Sequence, residues 1–186
     1  MEPPGITRHR RPFLVPLYLS VLLAAVLFAL GWAFYNTATT TVVFLVRPVE
    51  KALGAIDDPP VSPEGEARAA HLSYMFGGDK GGAVRLDGIY ESDDRRAQQT
   101  AAPLIERLHR SPIVFQGAEA RTIAAQALHE HAGGTVLVIA SDPAFAQMLQ
   151  EFAGVSLAAA VPNDSDIICV VSIPRFGRAH LSGFRF

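Results

Sequence analysis

From Phe13 to Tyr35 the chain carries no charged residue. As a helix rising 1.5 Å per residue, such a run covers about 34 Å, more than a bilayer hydrocarbon core of about 30 Å. A stretch this long and apolar must leave water, either for lipid or for the inside of a protein. Arg8, Arg10 and Arg11 stand just before it, and the next basic residue after it is Arg47. Positive flanks stay on the cytoplasmic side, which places the N-terminus in the cytoplasm and the rest of the chain on the periplasmic or extracytoplasmic side of an inner or plasma membrane. Trp32, Phe34 and Tyr35 fall at the far end, where amphipathic rings favour the interface, and Pro16 falls near the start, where its missing N–H does least harm. A cleaved signal peptide is the competing reading. Its apolar region should be shorter, about 7–15 residues, and end in small residues, for which Asn36-Thr37-Ala38-Thr39 is a poor match. A buried core helix fits the length and the arginine flank less well. The expected plan is a cytoplasmic N-terminus over residues 1–11, a transmembrane anchor over 12–35, a linker over 36–41 and one globular domain over 42–186.

The chain has 186 residues, enough for one domain and an appendage. Its net charge of −2, with no basic run in the body, leaves no electrostatic footprint for a nucleic-acid partner. The single cysteine, Cys169, sits in the apolar run Ile167-Ile168-Cys169-Val170-Val171 and reads as a small buried hydrophobe. No Cys/His spacing suits a metal, and neither a metal nor a cofactor is expected.

Beyond the anchor, helices alternate with strands. Val42-Val43-Phe44-Leu45-Val46 is a continuous apolar run, the pattern of a strand buried on both faces. Ser62-Pro63-Glu64 opens a helix, with serine as N-cap, proline at the first helical position and acids in the first turn. A glycine-rich turn spanning residues 77–82 follows it. A strand around Gly88-Ile89-Tyr90, a helix from about Asp94 to His109 and a strand at Ile113–Phe115 come next. Glu119–His131 reads as a helix, Thr135–Ala140 as a strand, and Ser141-Asp142-Pro143 as the start of a helix to about Phe152. Strands at Asp166–Ile173 and Ala179–Phe186 pair as a candidate hairpin. This alternation predicts a three-layer α/β/α sandwich with a mostly parallel sheet, preceded by one transmembrane helix.

Four segments, in order, resemble the histidine phosphatase (phosphoglycerate mutase-like) superfamily, in particular its short phosphohistidine-phosphatase-type branch. Leu45-Val46-Arg47-Pro48-Val49-Glu50-Lys51 is similar to that branch's Leu-Val-Arg-His-Ala-Glu-Lys. Asp58-Pro59-Pro60-Val61-Ser62-Pro63-Glu64-Gly65 resembles its Asp-x-Pro-Leu-Ser/Thr-x-x-Gly. Ser92-Asp93-Asp94-Arg95-Arg96-Ala97-Gln98-Gln99-Thr100-Ala101 resembles its Ser-Pro-x-x-Arg-Ala-x-Gln-Thr-Ala. Val136–Ser141 lies where the family has a strand ending in Gly-His.

The resemblance implies a site at the C-terminal ends of the strands, where open α/β sheets place ligands. There a histidine attacks phosphorus, two arginines and a second histidine surround the phosphoryl oxygens, and a carboxylate protonates the leaving group. Arg47 and Arg96 match the two arginines, with Arg95 as the rival of Arg96, and their forked guanidinium groups suit phosphate oxygens. Pro48 stands at the nucleophile's position and has no atom that attacks phosphorus. Ser141 stands at the second histidine's position; its hydroxyl can contact an anion but carries no charge, and Ser141 or Asp142 also suits a helix cap ahead of Pro143. Glu50 is expected behind Arg47, and Glu119 is a candidate acid by approximate position. His71, His109, His129, His131 and His180 fall off the motifs, and His9 precedes the anchor. Loss of a nucleophile in another enzyme class cost about six orders of magnitude in turnover.

The expectation is therefore a membrane-tethered pseudophosphatase that keeps the arginine pocket, binding a phosphorylated or anionic ligand or a protein partner through Arg47, Arg96 and Ser141. The alternatives are an active phosphatase with a non-standard nucleophile, with Ser141 and Asp142 as the candidate pair, and a structural component of a membrane complex.

Overall fold

The computed structural model describes residues 14–54, 57–76, 84–154 and 167–185. The arginines before the anchor, the turn at residues 77–82 and the terminal positions Asp166 and Phe186 lie outside them. The chain divides into two compact units, Met1–Thr37 and Ala38–Phe186.

The first unit is formed by helix α1, Leu14–Ala38. Within it Pro16–Tyr35 has a mean hydropathy of 2.3, and none of it is buried by protein. Large side chains such as Leu22, Phe28 and Phe34 are exposed. A helix apolar on every side has no stripe for docking onto a soluble core, and its length and composition suffice to cross a membrane. α1 outlasts the expected anchor and β1 opens at Thr41, so the expected linker over 36–41 shrinks to Thr39 and Thr40. Continuation of the apolar helix through Ala38 and burial of Thr41 in the sheet account for the difference.

The second unit contains β1 (Thr41–Val46), α2 (Pro63–Phe76), β2 (Gly88–Ser92), α3 (Arg95–Leu108), β3 (Ile113–Phe115), α4 (Ala120–Glu130), β4 (Thr135–Ile139), α5 (Ala144–Ala153), β5 (Ile167–Ile173) and β6 (His180–Arg185). A short 3-10 turn, Gly117–Glu119, leads into α4. The six strands lie in the order β3-β2-β4-β1-β5-β6. β3, β2, β4 and β1 run parallel, β5 is antiparallel to β1, and β6 returns as a hairpin partner of β5.

Two cores flank the sheet. On one face Val43, Leu45, Tyr90, Val136 and Val138 pack with Ala124 and Ala127 of α4 and Phe145, Met148 and Phe152 of α5. On the other, Phe44, Val46, Ile89, Leu137 and Ile139 pack with Leu72 and Phe76 of α2 and Ala97, Ala101 and Leu104 of α3. Because β1 and β4 contribute alternate residues to both cores, their sequences are apolar throughout. This is the three-layer α/β/α sandwich expected from the sequence. Cys169 is buried in the first core, and burial pushes its thiol up from the usual range.

Of the two expected helix caps, the one at Ser62 is present and the one at Ser141 or Asp142 is not, while Asp94 caps α3 in addition. Ser62 Oγ accepts from Gly65 N at 3.1 Å, and Asp94 Oδ1 accepts from Ala97 N at 3.0 Å. At α5 neither Ser141 nor Asp142 caps the helix; no side chain does, and the Ser141 carbonyl accepts from Phe145 N at 3.0 Å. The expected cap is absent because α5 begins at Ala144 with Pro143 at the N-cap position, and the Asp142 carboxylate lies near Arg47 instead.

Candidate active site

The chain leaves β1 and β2 toward the α2/α3 face but leaves β3 and β4 toward the α4/α5 face. Between the tips of β1 and β4 the connections therefore diverge, and this candidate crevice is the kind of place where parallel sheets bind ligands. Val46 is opposite Ile139 in the β1–β4 register, and Ala140 N donates to Val46 O at 3.1 Å, which ties the two tips together. Arg47 and Pro48 follow the first tip and Ser141 follows the second.

Arg47 is held from two directions. Its Nε lies 3.4 Å from Asp142 Oδ2, and its guanidinium carbon sits 3.8 Å from the centroid of the Phe145 ring. Pro48 is buried. Ser141 N donates to Ser92 Oγ at 3.3 Å, and Ser92 in turn donates to Asp94, which joins the tips of β4 and β2. The Ser141 hydroxyl is buried without a hydrogen-bond partner among the described residues.

Arg96 lies in the first turn of α3, half-buried, with no acidic partner for its guanidinium among the described residues. Its backbone is fixed to the β1 tip through a relay: Thr100 Oγ1 donates to Arg96 O at 2.8 Å and accepts from Val49 N at 3.2 Å. Arg95, its rival, is exposed, and its backbone N–H donates to both carboxylate oxygens of Asp58 at 3.2 Å.

The other motif residues brace this arrangement. Gln99 Oε1 accepts from Val61 N at 2.8 Å, and Ser62 N donates to Glu50 O at 2.8 Å. Gly65 is required because a Cβ there would lie 2.8 Å from Glu50 O and 2.7 Å from Val61 Cγ1. Ala97, Thr100 and Ala101 are fully buried, so α3 sits close against the sheet.

Among the candidates of approximate position, the Glu50 carboxylate pairs with Arg68 of α2 at 2.9 Å, while Arg47 takes Asp142. Glu119 is exposed, and its carboxylate accepts from Gln116 N at 3.1 Å, closing a capping box before α4. That gives Glu119 a local structural use. His71, His109, His129 and His180 are exposed. His131 follows α4 beside Gly88 and Tyr90, near the start of β2 and away from the tips. No described histidine stands at the crevice.

Two functional groups escaped sequence reasoning. Asp142 was visible as a helix cap or as a companion to Ser141, and nothing in a single sequence marks it as the partner of an arginine 95 positions away. Glu91 is the other. It lies inside β2, is 5 % exposed, and its Oε2 has no hydrogen-bond partner among the described residues. Burial, with a smaller contribution from the Asp94 charge, pushes its carboxyl up to about 7. The signal was an acid interrupting an apolar strand run.

The divergent tips, the strand order and the two helical layers decide the architecture. The domain has the histidine phosphatase fold. No protein-family model matches the sequence, and no curated protein does. Solved structures do. The protein histidine phosphatase SixA, complexed with tungstate, matches with a TM-score of 0.58 at 20% identity, over 77% of this chain and 96% of that one. A mycobacterial glucosyl-3-phosphoglycerate phosphatase matches with a TM-score of 0.63 at 15% identity, over 78% and 99%. A phosphoserine phosphatase variant from Entamoeba histolytica, in complex with phosphoserine, matches with a TM-score of 0.60 at 12% identity, over 78% and 96%. At such identities the likeness establishes the histidine phosphatase fold, and chemistry must be argued from the residues at the tips.

Proposed function

We propose that this chain is a membrane-anchored member of the histidine phosphatase family that binds an anionic, phosphate-bearing ligand or partner and does not turn it over. The observation that carries the reading is the pair of positions at the β1 and β4 tips. Pro48 is buried at the β1 tip, and the motif resemblance puts it at the nucleophile's position and Ser141 at that of the second histidine. A proline ring offers no lone pair for attack on phosphorus, and a neutral hydroxyl does not replace an imidazolium. Arg47 and Arg96 remain as anion ligands, with Ser141 as a neutral donor beside them.

An active enzyme built on Ser141 needs a base within hydrogen-bond reach of its hydroxyl. Ser141 Oγ has no such partner among the described residues, and Asp142 is committed to Arg47. The geometry therefore favours the inactive reading.

α1 serves as the anchor in this reading. The arginines preceding it keep the N-terminus cytoplasmic, which sets the domain on the periplasmic or extracytoplasmic side. A reporter fused after Phe186 that requires export for activity should be active; an inactive reporter reverses the orientation.

Binding is tested on the full-length chain in detergent micelles. Small phosphate-bearing anions should raise the melting temperature in proportion to RT ln(1 + [L]/Kd), and the Arg47→Ala/Arg96→Ala double variant should lose that shift. Hydrolysis of an aryl phosphate should not exceed buffer between about pH 5 and 9, the range in which acid–base pairs of this kind operate. An equal shift in the double variant removes the pocket, and hydrolysis that disappears in Ser141→Ala restores the enzyme.

A further inference from the structure

The charges at the strand tips point to a narrower ligand class. Arg47 is largely enclosed, with its side chain 12% exposed, and it faces an Asp142 carboxylate that is 48% exposed at 3.4 Å. The Phe145 ring covers another side of the guanidinium. Of the remaining groups, Asp94 is engaged by the α3 cap and by Ser92, Asp93 is exposed, Glu91 is buried within β2, and the Ser141 hydroxyl is neutral. Asp142 offsets the charge of Arg47, while Arg96 has no acidic partner for its guanidinium among the described residues.

We infer that Asp142 is a specificity-determining residue that restricts the crevice to singly charged oxyanions, of which a phosphodiester group is the type, and turns away phosphomonoester dianions. A dianion at Arg47 must either displace the half-exposed carboxylate or lie against it, and like charges in contact repel even where solvent screens them in part. A monoanion needs only Arg96, the Ser141 hydroxyl and the outer face of the Arg47–Asp142 pair. This inference rests on the reading of the crevice as an anion site and names its ligand class.

The experiment compares two probes on the full-length chain in detergent at pH 8, read by thermal shift. Dimethyl phosphate carries one charge, and methyl phosphate carries two above its second pKa of about 6. The wild type should bind dimethyl phosphate more tightly. Asp142→Asn should move the affinity ratio toward methyl phosphate by roughly tenfold, the scale of one partly screened charge contact. Asp142→Ala should do the same, which separates loss of charge from any hydrogen bond that asparagine makes to Arg47. An unchanged ratio in both variants, with both probes still protecting, overturns the inference and leaves anion binding standing. Protection by neither probe in any form, or protection that survives Arg47→Ala/Arg96→Ala, overturns the anion-site reading itself.

Discussion

Two regions meet at the end of β1, and they have kept different things. Behind the crevice, Asp58, Ser62, Gly65, Gln99 and Thr100 match the motifs of the histidine phosphatases and each has a visible structural use. They accept backbone N–H groups or admit a close backbone approach. In front of it, Pro48, Ser141 and Asp142 differ from the residues the motif resemblance calls for, and the Ser141 hydroxyl and Glu91 Oε2 are buried without hydrogen-bond partners among the described residues. On the function proposed above, the scaffold is retained for the shape of the site and not for turnover.

The comparison is broken most severely at the brace. Gly65→Ala places a Cβ 2.8 Å from a backbone oxygen that cannot swing away, so denaturant unfolding of the variant should show a loss of about 1–3 kcal/mol. A change within experimental error would mean that the loop after β1 gives way easily and that the brace is not rigid.

At the front, the largest effect belongs to Glu91. Its carboxyl is pushed up to about 7 in the folded protein from an ordinary 4.5, so between those values the folded state holds a proton that the unfolded state has lost. Stability from this group is complete below about 4.5 and declines as pH rises through about 7. Glu91→Gln keeps the neutral form at every pH. It should flatten that decline and stabilise the domain at pH 8 by something on the order of 2 kcal/mol, while changing little at pH 4. A variant destabilised at pH 8 would show that the ionised carboxylate has a native use.

The smallest effect separates the two regions most cleanly. Ser141→Ala removes a buried hydroxyl that has no partner, and stability should change by less than about 0.5 kcal/mol or rise slightly. A clear loss would reveal a hydrogen bond that holds the β4 tip in the resting protein.

Much of this architecture was legible because it rests on short-range rules. The unbroken apolar runs of β1 and β4 identified strands buried on both faces, and Ser62 marked the start of α2. The ordered motifs located Arg47, Pro48, Arg96 and Ser141 near the tips because such motifs encode backbone geometry. The side-chain partnerships were not legible. Asp142 reads equally as a cap or as a counter-ion until β1 and β4 are known to be neighbours. Glu50, four residues from the end of β1, turns to Arg68 for want of any local rule that fixes its direction. Glu91 interrupts an apolar run, but its burial follows from β2 being enclosed between β3 and β4.

The absence of a nucleophile is tested most directly by looking for the covalent intermediate. Full-length wild type and Pro48→His/Ser141→His would be incubated with a small phosphoryl donor, denatured at alkaline pH and weighed intact by mass spectrometry. The account predicts an unmodified wild type beside a double variant that carries a phosphoryl group. A phosphoryl group on the wild-type chain would contradict it.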